Sequence, residues 1–231
     1  MCFVFFHISS DLITGNEMPS MLVRSIRKHY LDIEIIQVSD SITPMVDGVS
    51  SVFRCDGNLD EIMAYRINAF SKLGLQKKAL YLDTDMLILK KFNINDIFNN
   101  QDVVLLKRDF LNDAYINTNF RGMDLSYLEG KTIGEVWPYI GCLRGSTSNK
   151  FWTDSSNYIN KLDKQSRYWY GDQDSIREVV KNNSFTINEI NEKKFACPPK
   201  FIEQTNPPFI LHFKGHENKD LMKSVANQLR I

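Results

Sequence analysis

Apolar and polar positions fall into blocks along this chain, and the blocks change period. Cys2 to Ile8 is a continuous apolar run, the mark of a strand buried on both faces. A polar loop follows, Ser9 to Asn16. From Met18 to Tyr30 the spacing turns helical, with Met18, Met21, Leu22, Ser25 and Ile26 near one face. Ile33 to Val38 reads as a second strand and Ser51 to Arg54 as a short third. Asp60 to Leu73 reads as a helix, with Ile62, Ala69, Phe70 and Leu73 apolar and Asp60 near its start. Ala79 to Leu82 is a strand that Met86 to Leu89 continues or resumes, and Asp102 to Leu106 is another. This alternation predicts an α/β fold: a parallel or mostly parallel sheet flanked by helices on both faces.

The second half is less regular. Ile140 to Leu143 reads as a strand ending near Gly145. Asn149 to Leu162 and Asp172 to Lys181 read as helices, and Phe185 to Ile190 and Phe209 to Lys214 as strands. Asn218 to Leu229 is an amphipathic helix through Leu221, Val225 and Leu229. The stretch from Asp109 to Pro138 is rich in Asn, Gly and Tyr, and is expected to be a long mobile loop. No repeat, low-complexity tract or linker interrupts the chain, so residues 1–231 are read as a single domain.

Composition narrows the function classes. A chain of 231 residues can bury roughly 70–75% of its unfolded surface without staples. Lys plus Arg and Asp plus Glu are 28 each, which gives no bulk attraction to nucleic acid. Cys2, Cys55, Cys142 and Cys197 are far apart and form no CxxC pair, which argues against a structural zinc site or a disulfide framework. Reduced thiols in a cytoplasmic protein are the expectation. No apolar run reaches the roughly 20 residues that span a bilayer. The opening residues lack a basic n-region and are read as a strand, not a signal peptide.

The chemistry begins at Leu82-Asp83-Thr84-Asp85. A bare Asp-x-Asp is common, but this one ends a strand expected to be buried on both faces. Ligands of open α/β sheets bind at the carboxyl ends of strands, and in extended chain residues i and i+2 point the same way. Asp83 and Asp85 can therefore converge on one hard cation. The alternative is a strand-end turn with Asp capping backbone donors; the setting favours the cation. Trp169-Tyr170-Gly171-Asp172-Gln173-Asp174 leads an aromatic loop into a helix, and either helix capping or function would explain it. Leu211-His212-Phe213-Lys214-Gly215-His216 delivers a histidine from an apolar strand, with Lys214, His216 and Lys219 as positive charge and a glycine that lets phosphate approach the backbone; taken alone, the histidine is better read as a strand-terminal residue satisfied by a neighbouring carbonyl. Arg66, on the helix that feeds Asp83, has a guanidinium suited to phosphate or a sugar hydroxyl, although taken alone the segment favours a solvated helix charge.

Taken in order, a Tyr-Arg helix, a Leu-Tyr-Leu-Asp-x-Asp strand, an Asp-Gln-Asp segment and an apolar-His-Phe-x-Gly close resemble nucleotide-sugar glycosyltransferases of the GT-A fold. The likeness is to glycosyltransferase family 8, the retaining family of glycogenin and bacterial lipopolysaccharide galactosyltransferases. It spans most of the chain, from Phe3 to about Lys219. The resemblance implies Asp83, Asp85 and His212 as ligands of manganese or magnesium bridging the donor diphosphate. It implies Arg66, Thr84, Lys214 and Gly215 as donor contacts, and Ser9 and Asp11 at the nucleoside. Asp172 and Gln173 would lie beside the reacting sugar, with the Gln173 carbonyl free to face developing positive charge. Residues 1–108 would form the nucleotide-sugar half, and residues 109–231 the half that completes the acceptor and metal sites. The implied partners are a nucleotide sugar, probed first as a UDP-sugar, and a carbohydrate, glycolipid or protein acceptor, with peripheral membrane contact open.

The chain also departs from the family. Lys219 comes one residue late in the closing motif and no Pro-Trp follows; Ile140-Gly141-Cys142 stands where the family has Asn-x-Gly; and the basic, aromatic tail is missing. Two rivals share parts of this pattern. A sugar-1-phosphate nucleotidyltransferase would need a Gly-rich basic loop after the first strand, and Ser9 to Met18 has one Gly and no Lys or Arg. Asp83, Asp85, Asp172 and His212 together argue against a sugar-nucleotide-binding protein without transfer activity, which stays the second alternative.

Overall fold

The apolar run at the start of the chain becomes strand β1 (Cys2–Phe6) at the middle of a sheet. A computed structural model describes residues 1–9, 15–120, 123–182, 184–204 and 207–231. Beside β1 lie β2 (Glu34–Ser39) and β3 (Ser51–Arg54) on one side and β4 (Ala79–Leu82) on the other. The chain then forms β5 (Met86–Ile88), β6 (Val103–Lys107), β7 (Asn119–Phe120), β8 (Met123–Asp124), β9 (Tyr139–Ser146), β10 (Ile187–Asn191) and β11 (Ile210–His212). Among the described residues seven strands form the main sheet in the order β10-β6-β9-β4-β1-β2-β3. β9 runs antiparallel to both its neighbours and the other pairs are parallel. The α/β class and the mostly parallel sheet are as the alternation of elements predicts, and the antiparallel β9 makes it the mixed sheet that the GT-A resemblance implies.

Both faces of this sheet are covered, and the strands alternate between them. Phe3, Phe5, Leu80, Leu82, Val104 and Leu106 pack on one face with Leu22, Val23 and Ile26 of the helix Glu17–His29. Cys2, Val4, Ala79, Tyr81, Val103 and Leu105 pack on the other, against the helices Ile62–Leu73, Lys150–Ile159 and Gly171–Asn182. Period-2 strands with apolar residues at every position have no polar face to turn to water, so both layers are required. Each fully buried Phe or Leu contributes about 1.5–3 kcal/mol. The helix Ile62–Leu73 stops at Gly74, whose φ of 68° is the left-handed conformation that ends helices.

Two expectations change. The apolar residues after Asp85 do not extend β4. They resume as β5 in a separate two-stranded ribbon, antiparallel to β11, with Met86 opposite His212. A third cluster, including Leu87, Leu211, Phe213 and Met222, ties this ribbon to the helix Lys219–Gln228. The stretch from Asp109 to Pro138 is not one irregular loop. It holds the β7–β8 hairpin, the short helix Ile133–Val136 and its own cluster around Ile116, Met123, Leu125, Leu128 and Trp137. Its Asn and Thr residues cap local turns, as Thr132 and Glu135 do in a reciprocal capping box. Among the described residues no helix is long and apolar enough to cross a membrane.

Candidate active site

The turn after β4 places the first carboxylates. The Asp83 N–H donates to the Cys142 carbonyl on β9 at 2.9 Å, and the Asp85 carbonyl accepts from the Phe213 N–H at 2.8 Å. The turn is thus held by the main sheet on one side and by the β5–β11 ribbon on the other. Pairing of Met86 with His212 sets the imidazole beside Asp85. Ligand atoms of Asp83, Asp85 and His212 all lie within 4.8 Å of one another.

These residues line one side of a cleft of about 520 Å³. Arg66, Asp172, Gln173, Lys214 and Gly215 line it too. Gly215 has φ 93°, a conformation that disfavours any side chain. Phe120, Trp169 and Tyr170 add an aromatic wall. Tyr170 has φ 62° and stacks on Trp137 at 4.1 Å with ring planes 7° apart. Thr84 sits in the turn between the two aspartates and is not among the lining residues. Ser9 follows β1, outside the cleft wall, and its N–H donates to Thr43 Oγ1 at 2.8 Å. Asp11 lies outside the described residues.

Charge pairing answers part of the question raised by two carboxylates at the end of a buried strand. Arg66 spans the site, donating to Asp83 Oδ1 at 2.8 Å and to Asp172 Oδ2 at 2.6 Å. Asp172 Oδ2 also accepts from Arg144 at 2.6 Å. Asp172 Oδ1 accepts from the N–H of Gln173 at 2.9 Å, so a local contact at the helix start accounts for one of its two oxygens only. Asp85 has less. Its Oδ1 is buried without a hydrogen bond, and the His212 Nε2 at 3.4 Å is in ion-pair range only.

The electrostatics follow. Burial pushes the Asp83 carboxyl above its ordinary range, and Arg66 offsets this only in part while Asp85 adds to it. Burial also acts to raise Asp85, but His212 and Lys214 carry it below its usual value. Burial acts against a charge on His212; Cys142 and Asp85 outweigh it and hold the imidazole well above its ordinary value. Asp172 is raised by burial and lowered more by Arg66 and Arg144, and ends below the usual range. The group of oxygens and one imidazole nitrogen, which includes the orphaned Asp85 carboxylate oxygen, has the donor chemistry of a hard or borderline divalent cation.

Two arginines complete the site, and motif reading passed over both. Arg144 is fully buried on β9 and also donates to the Gly141 carbonyl at 3.1 and 2.7 Å. Burial pulls its guanidinium down to about 10, which leaves it charged at neutral pH. The pairing of β9 with β6 jumps from Arg144–Leu105 to Ile140–Leu106, which leaves Gly141, Cys142 and Leu143 outside that ladder. Gly141 has to be glycine here: a Cβ would stand 2.2 Å from Asp172 Oδ2 and 2.5 Å from Arg144 Nη2. Arg108, just past β6, donates to the Trp137 carbonyl at 3.0 Å and to Gln173 Oε1 at 2.8 Å. The one available signal was Arg144 itself, a charge amid apolar strand residues, since a buried charge needs a partner.

No protein-family model matches the chain, and no curated protein matches it. Solved structures do. The chain is similar to the galactosyltransferase LgtC in complex with donor and acceptor sugar analogues, with a TM-score of 0.61 and 13% identity over 100% of this chain and 97% of that one. A glutamine-to-glutamate active-site mutant of LgtC aligns as well, at 0.61 and 13% over 100% and 95%. A glycosyltransferase involved in glycosylation of the major capsid of PBCV-1 aligns at 0.58 and 10% over 97% and 100%. This chain therefore has the GT-A fold of these glycosyltransferases, from its first strand to its last helix.

Proposed function

We propose that this protein is a metal-dependent hexosyltransferase. It moves a hexose from a nucleotide diphosphate sugar, a UDP-sugar, to an acceptor hydroxyl with retention of anomeric configuration. The observation that carries the reading is the convergence of Asp83, Asp85 and His212 in a cleft shared with Asp172, Gln173, Lys214 and Gly215. The choice of uridine and of retention rests on the resemblance to glycosyltransferase family 8. The division of labour is also proposed: residues 1–108 bring Arg66, Asp83 and Asp85, and residues 109–231 bring Asp172, Gln173 and His212.

Asp83, Asp85 and His212 would hold manganese or magnesium. When bound, the cation supplies Lewis-acid stabilisation of the departing diphosphate. Lys214 adds positive charge on the same side, and Gly215 leaves its backbone open to a phosphate oxygen. Asp172, held ionised by two arginines, puts a fixed negative charge near a sugar whose transition state is oxocarbenium-like. Arg66 ties this carboxylate to Asp83, so the sugar side and the diphosphate side of the cleft keep one geometry. Gln173 binds sugar hydroxyls. The active-site glutamine of LgtC has a candidate counterpart in this residue. The acceptor is a hydroxyl of a carbohydrate, glycolipid or protein. The four free cysteines suit a reducing compartment.

The test is a panel of nucleotide sugars with Mn²⁺ or excess chelator, read by thermal shift and by nucleotide release on adding sugar acceptors. A donor that raises the melting temperature only with Mn²⁺, and loses its nucleotide faster with acceptor, is expected. Equal donor affinity in Mn²⁺ and in chelator, or no release with any donor, would overturn the reading.

A further inference from the structure

We infer that Arg108 is a positioning residue that fixes the amide of Gln173 so that its NH₂ end, not its carbonyl, serves the bound sugar. This deepens the transfer reading and rests on it. The Arg108 Nη2 stands 2.8 Å from Gln173 Oε1. A guanidinium has only donors, so the amide atom that faces it is the oxygen. The fork is itself fixed, because its Nε donates to the Trp137 carbonyl at 3.0 Å and the Arg108 backbone N–H donates to the Pro138 carbonyl at 2.8 Å. Gln173 opens the helix Gly171–Asn182 and lines the cleft. Its amide nitrogen makes no hydrogen bond to any described residue.

The chemistry follows from the two ends of the amide. A carbonyl facing the anomeric carbon would stabilise positive charge there, as the resemblance implies, or attack that carbon. Here that oxygen already shares its electron density with a cation, which weakens it in both roles. The free NH₂ is a donor whose orientation is set before the sugar arrives, and such preorganised donors hold ring or hydroxyl oxygens without reorganisation in the transition state. The charge at the sugar side of the cleft is then that of Asp172.

Gln173→Glu separates the two ends. Glutamate keeps an oxygen for Arg108 and removes the NH₂ donor. The expected result is an unchanged or raised melting temperature, donor affinity within about threefold of wild type, and turnover lower by roughly tenfold or more. Arg108→Met should also lower turnover by roughly tenfold with donor affinity kept, and this loss should vanish in the Gln173→Glu background, because a positioning residue acts only through its partner. Arg108→Lys, which can still donate to the same oxygen, should recover part of the rate. The contact is read without turnover from the Gln173 side-chain carbonyl carbon resonance, which should move upfield in Arg108→Met. Wild-type turnover in Gln173→Glu, additive losses in the double variant, or an unmoved carbon resonance would each overturn the inference. A wild type inactive with every donor would refute the transfer reading, and the carbon resonance would still judge the contact.

Discussion

Replacing Arg144 with Met tests the buried charge cluster beneath the cleft. Arg144 is 2% exposed at its side chain, donates to Asp172 at 2.6 Å and holds the Gly141 carbonyl with two hydrogen bonds. Breaking a buried pair by removing one partner costs about 3–5 kcal/mol, because the other charge stays behind. Asp172 would keep Arg66 at 2.6 Å, which argues for the low end of that range. The methionine would regain some apolar contact with Trp152, whose ring lies 5.6 Å from the guanidinium carbon. The net expectation is a loss of about 2–3 kcal/mol. Urea unfolding at pH 7 in chelator would measure it as a lower midpoint at unchanged slope. The pH dependence has a definite sign. Asp172 lies below its ordinary value in the folded protein, so its pairing adds stability above the unfolded value of about 3.9 and loses it as pH falls through the lower folded value. The deficit of Arg144→Met should therefore be full at neutral pH and narrow under acid. Asp172→Asn in the same background should cost at least about 1 kcal/mol less than it does alone. A deficit below about 1 kcal/mol at pH 7, or additive effects of the two substitutions, would refute the account of a mutually dependent buried pair.

Asp85→Asn should weaken Mn²⁺ and donor binding together, since the orphaned Oδ1 belongs to the charge that a cation would neutralise; calorimetry of Mn²⁺ binding with and without UDP checks this. Saturating wild type with Mn²⁺ at about 100 times its dissociation constant should add about 2.7 kcal/mol of stability by mass action, visible as a raised melting temperature that Asp85→Asn abolishes. Gly141→Ala should cost about 1–3 kcal/mol and lower turnover, because its Cβ would enter the Asp172–Arg144 contact at 2.2 and 2.5 Å; Gly15→Ala, where a Cβ meets nothing within 4 Å, should leave unfolding unchanged.

The layered sheet is legible in the apolar pattern of the chain. An apolar residue at every position of Cys2–Phe6, Ala79–Leu82 and Val103–Lys107 up to its final lysine leaves no face for water, and this forces helices onto both sides. The same pattern also places Asp83 and Asp85 at a strand end, because the apolar run stops at Leu82 and the next begins at Met86. Local pattern does not put His212 beside Asp85, although the family resemblance names both as ligands of one cation; only the tertiary structure brings them together. That depends on β5 leaving the main sheet to pair with β11, and a pairing between strands so distant in sequence leaves no trace in local pattern. It likewise decided the order within Asp109–Pro138, whose small apolar cluster is assembled from scattered residues with no period. The partners of Asp172 and Gln173 were beyond local reading for the same reason. Arg108 looks like an ordinary loop charge, and Arg144, conspicuous in an apolar strand, does not reveal its partner, until the sheet brings both under the helix Gly171–Asn182. Gly141 looks like a flaw in a strand until a carboxylate oxygen is found where its side chain would be. Local periodicity encodes which face of an element is buried; which charge meets which is set only when the elements pack.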